Sequence, residues 1–451
     1  MDDGGEQSSH TAPGPDAAGA WHDCPVPGQR RRTILATWIV ANAACGDAVR
    51  NVIGYPAWAG VVLATFVWVA VELVLLRVRL WRMPVAVVAF AAMALASAIW
   101  AIAPGWSLVG SVILFGTIAS ALLIASLPYR VILDVTHWTM QGLLIASFLF
   151  EAFVALVLRQ PLFPLWSDYP PDASGELHWS SGLIFEGGRV QGIMGNANLL
   201  GMVALIALVI AGCRAAAGLD RWWPLWVALP ILAQLVTRSA TVLFATAMVA
   251  VLTLLVVSWV QWRGAVFYRI FGIAVAVGLV CIGVIVANWP LVTDFLGRDA
   301  DMTGRFDIWG RVIDLGLTSP VVGVGYLGYW LPWVPPFDAL GEMHGMVYLQ
   351  AHNVWLDVFM QLGIVGVLLW GGLQYRAVTN TLGALYRSPV GERALNAIPL
   401  LLWVALFVQG LAESRPWIEF GMMLLVIFAI GPLRKQIAPS APRTEAMTTI
   451  G

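Results

Sequence analysis

The chain has 451 residues, of which 59% are hydrophobic and 11% are charged, with a mean hydropathy of +0.80 and a formal net charge of −1. A soluble domain carries about 25% charged residues, so this composition excludes a soluble globular fold. The four cysteines show no CxxC spacing, and we expect neither a disulfide framework nor a metal cluster from them.

The chain begins with a polar segment rich in Gly, Pro and Ala, and we predict a disordered cytoplasmic tail over residues 1–32. Apolar runs follow, each of roughly the 17–22 residues that a helix needs to cross ~30 Å of hydrocarbon. A β-barrel would show short alternating segments instead. The sequence therefore predicts an all-α integral membrane protein with about 12 transmembrane helices, near residues 33–49, 55–76, 84–102, 106–127, 138–158, 196–213, 222–237, 239–261, 269–288, 353–374, 394–412 and 417–433.

The arginines indicate the sidedness of these helices. If the N-terminus is cytoplasmic, 17 of the 25 Lys and Arg residues fall in cytoplasmic segments, as the positive-inside rule requires. We therefore predict a membrane domain over 33–433, a cytoplasmic tail over 434–451 and both termini inside. Two long outer loops, at about 159–195 and 289–352, carry aromatic and Pro-rich stretches that suit short interfacial helices.

The remaining eight arginines would lie on the outer side. Solvated loop charges are the favoured interpretation for Arg50, Arg159 and Arg298. Arg238 differs, because it stands between two apolar runs, where an arginine is costly unless it faces a water-filled cavity or a partner. Arg189 lies directly before a helix.

Arg305 and Arg311 lie on an apparent amphipathic helix in TGRFDIWGRVIDL, where pairing with Asp307 or Asp314 is the structural alternative. Guanidinium groups bind phosphate oxygens bidentately and stay charged at any relevant pH. Several arginines converging on one outer cavity would indicate a pyrophosphate or another multi-anionic ligand.

His352 opens the tenth apolar run and lies at its outer end, followed by Asn353 and Asp357 on one helix face. A capping or interfacial histidine is the alternative. An imidazole can accept a proton from a hydroxyl near neutral pH, so His352 is the candidate base. Glu413 also lies near the outer face. The sequence has no HExxH, P-loop or paired DxD motif, and we expect no metal and no cofactor.

Glycine patterns in GNANLLG, PVVGVGYLG and LGIVG fit helix starts and close helix packing when each is taken alone. In chain order, however, the motifs are R-x-x-G-x-x-x-N-x-N from Arg189 to Asn198, R-S-A at Arg238, G-R-x-x-x-W at Arg305, P-x-x-G-x-G at Pro320 and H-N-x-x-L at His352. Over about residues 180–375 this order resembles the O-antigen ligase and O-antigen polymerase superfamily of bacterial membrane glycosyltransferases.

The resemblance implies an inner-membrane enzyme that transfers a glycan, at the outer face and without a metal, from a polyprenyl-pyrophosphate carrier to an acceptor hydroxyl on a glycan, lipid or protein. It implies that His352 is the base and that Arg189, Arg238 and Arg305 neutralise the leaving pyrophosphate. Secondary candidates for substrate binding are Arg311, Asn198, Asn353, Asp357 and Glu413. Membrane lipids are expected partners, and nucleic acid is not.

Two rival functions remain open at this point. A transporter or flippase of lipid-linked glycan or small anions would place polar residues near the bilayer midplane, whereas here they gather at the outer ends. A structural scaffold would pair its arginines locally with acids and leave no cavity. Whether the chain polymerises or ligates glycans stays undecided by the sequence.

Overall fold

The computed structural model describes residues 28–78, 80, 83–170, 175–261, 264–288, 302–340, 342–343 and 346–431. Residues 1–27 of the predicted N-terminal tail, the predicted tail at 434–451 and the part of the second outer loop that includes Arg298 lie outside these ranges. The α-helices within them are α1 Gln29–Leu75, α2 Val85–Ala96, α3 Pro104–Ala125, α4 Tyr129–Phe153, α5 Ala197–Ala216, α6 Trp223–Thr237, α7 Ala240–Gln261, α8 Ala265–Ala287, α9 Met302–Leu317, α10 Phe337–Leu340, α11 Val354–Arg387, α12 Arg393–Gly410 and α13 Glu419–Ile430.

Helices dominate the described part of the chain, and its strands are limited to the two-residue antiparallel pair β1 (Glu342–Met343) and β2 (Met346–Val347). Seven helical stretches are long and apolar enough to cross a membrane, and shorter apolar helices lie beside them. The prediction of an all-α, multi-pass membrane protein is confirmed at this level. Within the described residues, most of each predicted apolar run is helical.

The first two predicted runs share one long helix, α1. The backbone leaves the helical conformation at Cys45 and again at Gly54, where φ is 78°. Glycine adopts this left-handed value without steric cost, and Pro56 just beyond it cannot donate a backbone hydrogen bond. Two apolar segments therefore meet at a break within α1.

Helix α11 is also interrupted, at Gly363, where φ is 63°. The residues on either side of this break hydrogen-bond to the backbone of a segment that crosses the helix: Val324 N donates to Met360 O (3.0 Å) and Ile364 N donates to Pro320 O (2.9 Å). A Cβ at Gly363 would lie 2.3 Å from the backbone of Val321. The two glycine motifs thus let two backbones touch, a closer approach than the helix packing that we expected.

The amphipathic helix predicted around Arg305 is α9. Its inner face contributes Ile308 and Val312 to a small hydrophobic core that includes Trp330, Phe337 and Met360. This core attaches α9 and the segment around Trp330 and Phe337 to the N-terminal part of α11. A larger core joins the apolar helices, and α13 is buried along almost its whole length.

Candidate functional site

His352 lies immediately before Asn353, the residue that caps α11. The Asn353 side chain accepts hydrogen bonds from Trp355 N and Leu356 N, which fixes the start of the helix. His352 itself has φ of 52°, a left-handed value that is uncommon for a residue with a side chain. Its ring packs edge-on against Tyr348, with 5.4 Å between the ring centroids.

The two ring nitrogens of His352 have different surroundings. Nδ1 lies 2.8 Å from Oε2 of Glu413. Nε2 is buried and has no hydrogen-bond partner among the described residues. A carboxylate beside Nδ1 favours a proton there and leaves the Nε2 lone pair available.

Glu413 is the centre of the cluster. It follows α12, is 5% exposed, and accepts from Asn198 Nδ2 at 2.9 Å, from Arg305 Nη2 at 3.3 Å and from Gln350 Nε2 at 3.3 Å. Burial raises the pKa of its carboxyl group, but the interactions with His352, including the hydrogen bond, and the charge of Arg305 outweigh that effect and hold the pKa below its usual value. The structure therefore keeps a carboxylate ionised beside His352.

Arg305 reaches this carboxylate from α9. Its Nη1 donates to Ala412 O at 3.0 Å, and its side chain is 17% exposed. The predicted alternative, pairing with Asp307, is not the contact that the structure shows. Arg305 fixes the turn that carries Glu413 and supplies positive charge next to it.

Asn198 connects the carboxylate to Arg189. It lies in the first turn of α5, which is capped by the Asn196 side chain. Its Oδ1 accepts from Arg189 Nη2 at 3.2 Å and from Ser239 Oγ at 2.8 Å. Since its Nδ2 donates to Glu413, one hydrogen-bonded chain runs from Arg189 through Asn198 and Glu413 to His352.

Arg238 ends α6 and precedes Ser239, so it adjoins the same chain. Its backbone is left-handed, with φ of 48°, and its side chain is exposed. Its Nη2 would lie 3.6 Å from a Cβ added at Gly187. Within the described ranges this guanidinium has no hydrogen-bond or ion-pair partner, so its charge is available to an anion.

Three of the predicted substrate-binding residues have structural surroundings instead. Asp357 is completely buried and accepts from Trp330 Nε1 at 2.8 Å, from Ala351 N at 2.9 Å and from Ser414 Oγ. Asn353 is occupied as a helix cap, and Arg311 donates to Ala339 O at 3.1 Å. These contacts favour a structural role for Asp357, because a carboxylate buried there needs internal donors. The substrate-binding roles of Asp357, Asn353 and Arg311 stay predictions.

A small, partly open cavity lies beside His352. Its lining includes groups to which we gave no role from sequence: Gln350, Gln409, Asn196 and Arg415. Arg415 is ion-paired with Asp47 at 2.9 Å and with Glu419 at 2.6 Å. For Gln409, the sequence signal of a functional role is a glutamine inside an otherwise apolar run. In the residues that the structure describes, no group of His, Cys, Asp and Glu is arranged to hold a metal ion.

The described residues form an all-α, multi-pass membrane fold. Arginines, one imidazole and a carboxylate gather at one end of its bundle. The fold and this cluster define the class as a multi-pass membrane protein with a charged polar site. Residues 223–371 match the family model described as O-antigen ligase. The exopolysaccharide production protein ExoQ of Rhizobium meliloti (strain 1021) is 28% identical over 148 residues, which are 31% of this chain and 32% of that protein. The alignment thus spans about a third of the relative's own length.

These comparisons confirm the resemblance to the O-antigen ligase and polymerase superfamily. The matched segment contains Arg238, Arg305 and His352. Asn198 and Glu413, which connect these residues, lie outside it on either side. The site is therefore completed by parts of the chain that the family match does not include.

Proposed function

We propose that the chain is a metal-independent glycosyltransferase of polysaccharide biosynthesis, which transfers a glycan from a polyprenyl-pyrophosphate carrier to an acceptor hydroxyl. The observation that carries this proposal is the His352–Glu413 pair, with Nε2 of the imidazole unpartnered among the described residues. A transporter does not need an oriented base, because it forms no bond. A hydroxyl nucleophile needs a base that accepts its proton.

In the proposed step one proton is transferred, and one bond to the anomeric carbon forms as another breaks. The acceptor hydroxyl gives its proton to His352 Nε2 while its oxygen attacks the anomeric carbon of the donor sugar. The bond between that carbon and the pyrophosphate oxygen breaks, and the leaving pyrophosphate keeps the electron pair. Glu413 orients the ring through Nδ1 and stabilises the imidazolium that forms.

The negative charge that develops on the leaving group needs fixed cations. Arg238 is the best placed, because its guanidinium is exposed and has no internal partner among the described residues. Arg189 lies on the same hydrogen-bonded chain. Arg305 differs from both, because it is already bonded to Glu413, and its role in this scheme is to position that carboxylate. Removing one contact to a developing anion typically costs about 3 kcal/mol in the barrier.

The finer membrane topology belongs to the same proposal. We assign twelve crossings, both termini to the cytoplasm, the membrane domain to 33–433 and the site to the outer face of the inner membrane. The charge distribution supports this orientation, since arginines favour the cytoplasmic segments. The break in α1 supports the number of crossings, because it divides the helix into two apolar segments.

The decisive experiment uses the full chain, reconstituted in lipid with a polyprenyl-pyrophosphate-linked glycan and candidate acceptors. We expect a new glycosidic bond and free polyprenyl pyrophosphate, unaffected by EDTA. Movement of the intact lipid-linked glycan across the bilayer without bond formation would identify a flippase instead. In a deletion strain, accumulated single repeats would indicate a polymerase and accumulated finished chains a ligase.

A further inference from the structure

The cavity beside His352 differs in charge from the arginine side of the site. Its two fixed ionic groups are each neutralised within the protein: Glu413 by Arg305, and Arg415 by Asp47 and Glu419. Arg189 and Arg238 are not part of the lining that the described residues form. A charged ligand would therefore find little unbalanced charge in this cavity.

The amide groups of the same lining are not saturated. Gln409 is 4% exposed and faces the cavity, and its side chain has no hydrogen-bond partner in the described part of the chain. Gln350 Nε2 donates to Glu413, while Gln350 Oε1 is buried and has no partner among the described residues. Asn196 Oδ1 accepts the backbone hydrogen bonds that cap α5. A buried amide without a partner is costly unless a ligand or water satisfies it.

We propose that this cavity is the acceptor subsite and that it binds an uncharged sugar through its hydroxyl groups. Side-chain amides offer both donors and acceptors, as vicinal sugar hydroxyls require, and they add no net charge. His352 lines the same cavity, which places the base beside a bound acceptor hydroxyl. Gln350 and Gln409 are then the specificity-determining residues. This inference rests on the proposed transfer reaction.

The division of the site agrees with the separate position of the arginines assigned to the donor. Guanidinium groups suit pyrophosphate, and that of Arg189 donates to Asn198 Oδ1, whereas Nδ2 of the same side chain donates to Glu413. A neutral acceptor requires hydrogen bonds from amides. The site thus has a cationic part for the donor pyrophosphate and an amide-lined part for the neutral acceptor, with Asn198 between them.

The test is saturation-transfer NMR on the full chain in lipid nanodiscs, because glycosidic detergents would compete for the subsite. The probes are the methyl glycosides of glucose, galactose and mannose, with methyl glucuronide as the charged comparator. We expect at least one neutral glycoside to bind and the glucuronide to bind more weakly. Gln409→Leu and Gln350→Leu should each weaken the neutral probe by about fivefold or more through loss of a hydrogen bond.

Arg238→Lys is the matched control, since it should impair the donor side and leave binding of the neutral probe unchanged. The inference is overturned if no neutral glycoside binds, if the glucuronide binds as well as the neutral probes, or if both leucine variants bind like the parent. Failure of the proposed reaction is seen separately in the reconstituted assay, as sugar binding without glycan transfer. Size-exclusion profiles matching the parent exclude misfolding of a variant.

Discussion

His352 and Arg238 both hold left-handed backbone conformations, with φ of 52° and 48°. Such values cost free energy in residues that carry a Cβ and persist where the surrounding contacts require them. At His352 those contacts are the helix cap that follows and the bond to Glu413. The conformation directs the imidazole toward the carboxylate and the cavity.

His352→Ala should lower the rate of glycan transfer by on the order of 100-fold to 10,000-fold, because the acceptor hydroxyl loses its base. Binding of the lipid-linked donor should be retained. His178→Ala is the matched control, since His178 packs on Phe163 in the first outer loop. Turnover at the parent rate in the His352 variant would contradict its assigned role.

Arg238→Lys should reduce transfer strongly, because a single ammonium cannot reproduce the two parallel hydrogen bonds of a guanidinium to phosphate. Arg159→Lys provides the comparison: it is also an exposed arginine with a left-handed backbone in a predicted outer segment. Steady-state kinetics with varied donor measure the effect. Equal rates in the two variants would argue against a phosphate contact at Arg238.

Glu413 makes folding stability depend on pH. Its pKa is lowered in the folded state by His352 and Arg305 in spite of burial, so at acidic pH the folded protein binds fewer protons than the unfolded chain. The stabilisation is complete above the ordinary glutamate pKa of about 4.3 and is lost as the pH falls through the lowered value.

Glu413→Gln removes this titration. The melting temperature of the parent should therefore exceed that of the variant near neutral pH, and the difference should shrink as the pH is lowered below about 4. Thermal unfolding in nanodiscs across this range measures it. A difference that does not change with pH would show that the carboxylate charge contributes nothing to the fold.

At the scale of elements, the sequence predicts helices far better than it predicts contacts between them. Apolar runs must be helical in lipid because backbone polar groups need internal partners, and the amphipathic segment around Arg305 has a clear helical period. The crossing of the outer loop over α11 has no such periodic signal. It depends on backbone contact between Gly363 and Val321, which are distant in sequence.

The same contrast between local signals and distant contacts explains which site residues the sequence predicts first and which remain secondary candidates. His352 and Arg238 are predicted from residue type and from position at the end of an apolar run, and Arg189 from its position before a helix. Glu413 is only a secondary candidate from the sequence, because no local sequence pattern shows that this carboxylate accepts hydrogen bonds from Asn198, Gln350 and Arg305. Asp357 has the same residue type, yet its surroundings favour a structural role.

Gly363→Ala should destabilise the protein and disorder the His352 end of α11. An added Cβ would lie 2.3 Å from the Val321 backbone, and the left-handed φ disfavours alanine as well. Gly371→Ala on the same helix is the control, because nothing lies within 4 Å of its added Cβ. Thermal stability and folded yield compare the two. Equal values would contradict the close contact described here.

At the scale of the whole molecule, large apolar side chains cover the outside of the bundle, among them Leu149, Leu254 and Leu368. Such a surface is unfavourable in water and suits contact with lipid tails. The fold and the composition therefore agree on a membrane environment. Orientation is a separate question, and the asymmetric distribution of arginines is the argument for it.

Single cysteines in a cysteine-free background test the proposed orientation. A cysteine at the exposed position Asp168, in the first predicted outer loop, should react with an impermeant maleimide in intact cells. One at the exposed position Gly391, between α11 and α12, should react only after the membrane is permeabilised. The opposite pattern would turn the site toward the cytoplasm and remove access to an outer acceptor.

The bonds that converge on Glu413 carry a consequence for protein engineering. A chimera that transplants only residues 223–371 into a relative would bring the imidazole and two guanidinium groups, yet it would leave behind Asn198 and Glu413. The graft would lose the Glu413 carboxylate that orients the ring and the Asn198 amide that donates to this carboxylate. Exchange of donor or acceptor preference between relatives therefore requires the flanking helices α5 and α12 to move together with the grafted segment.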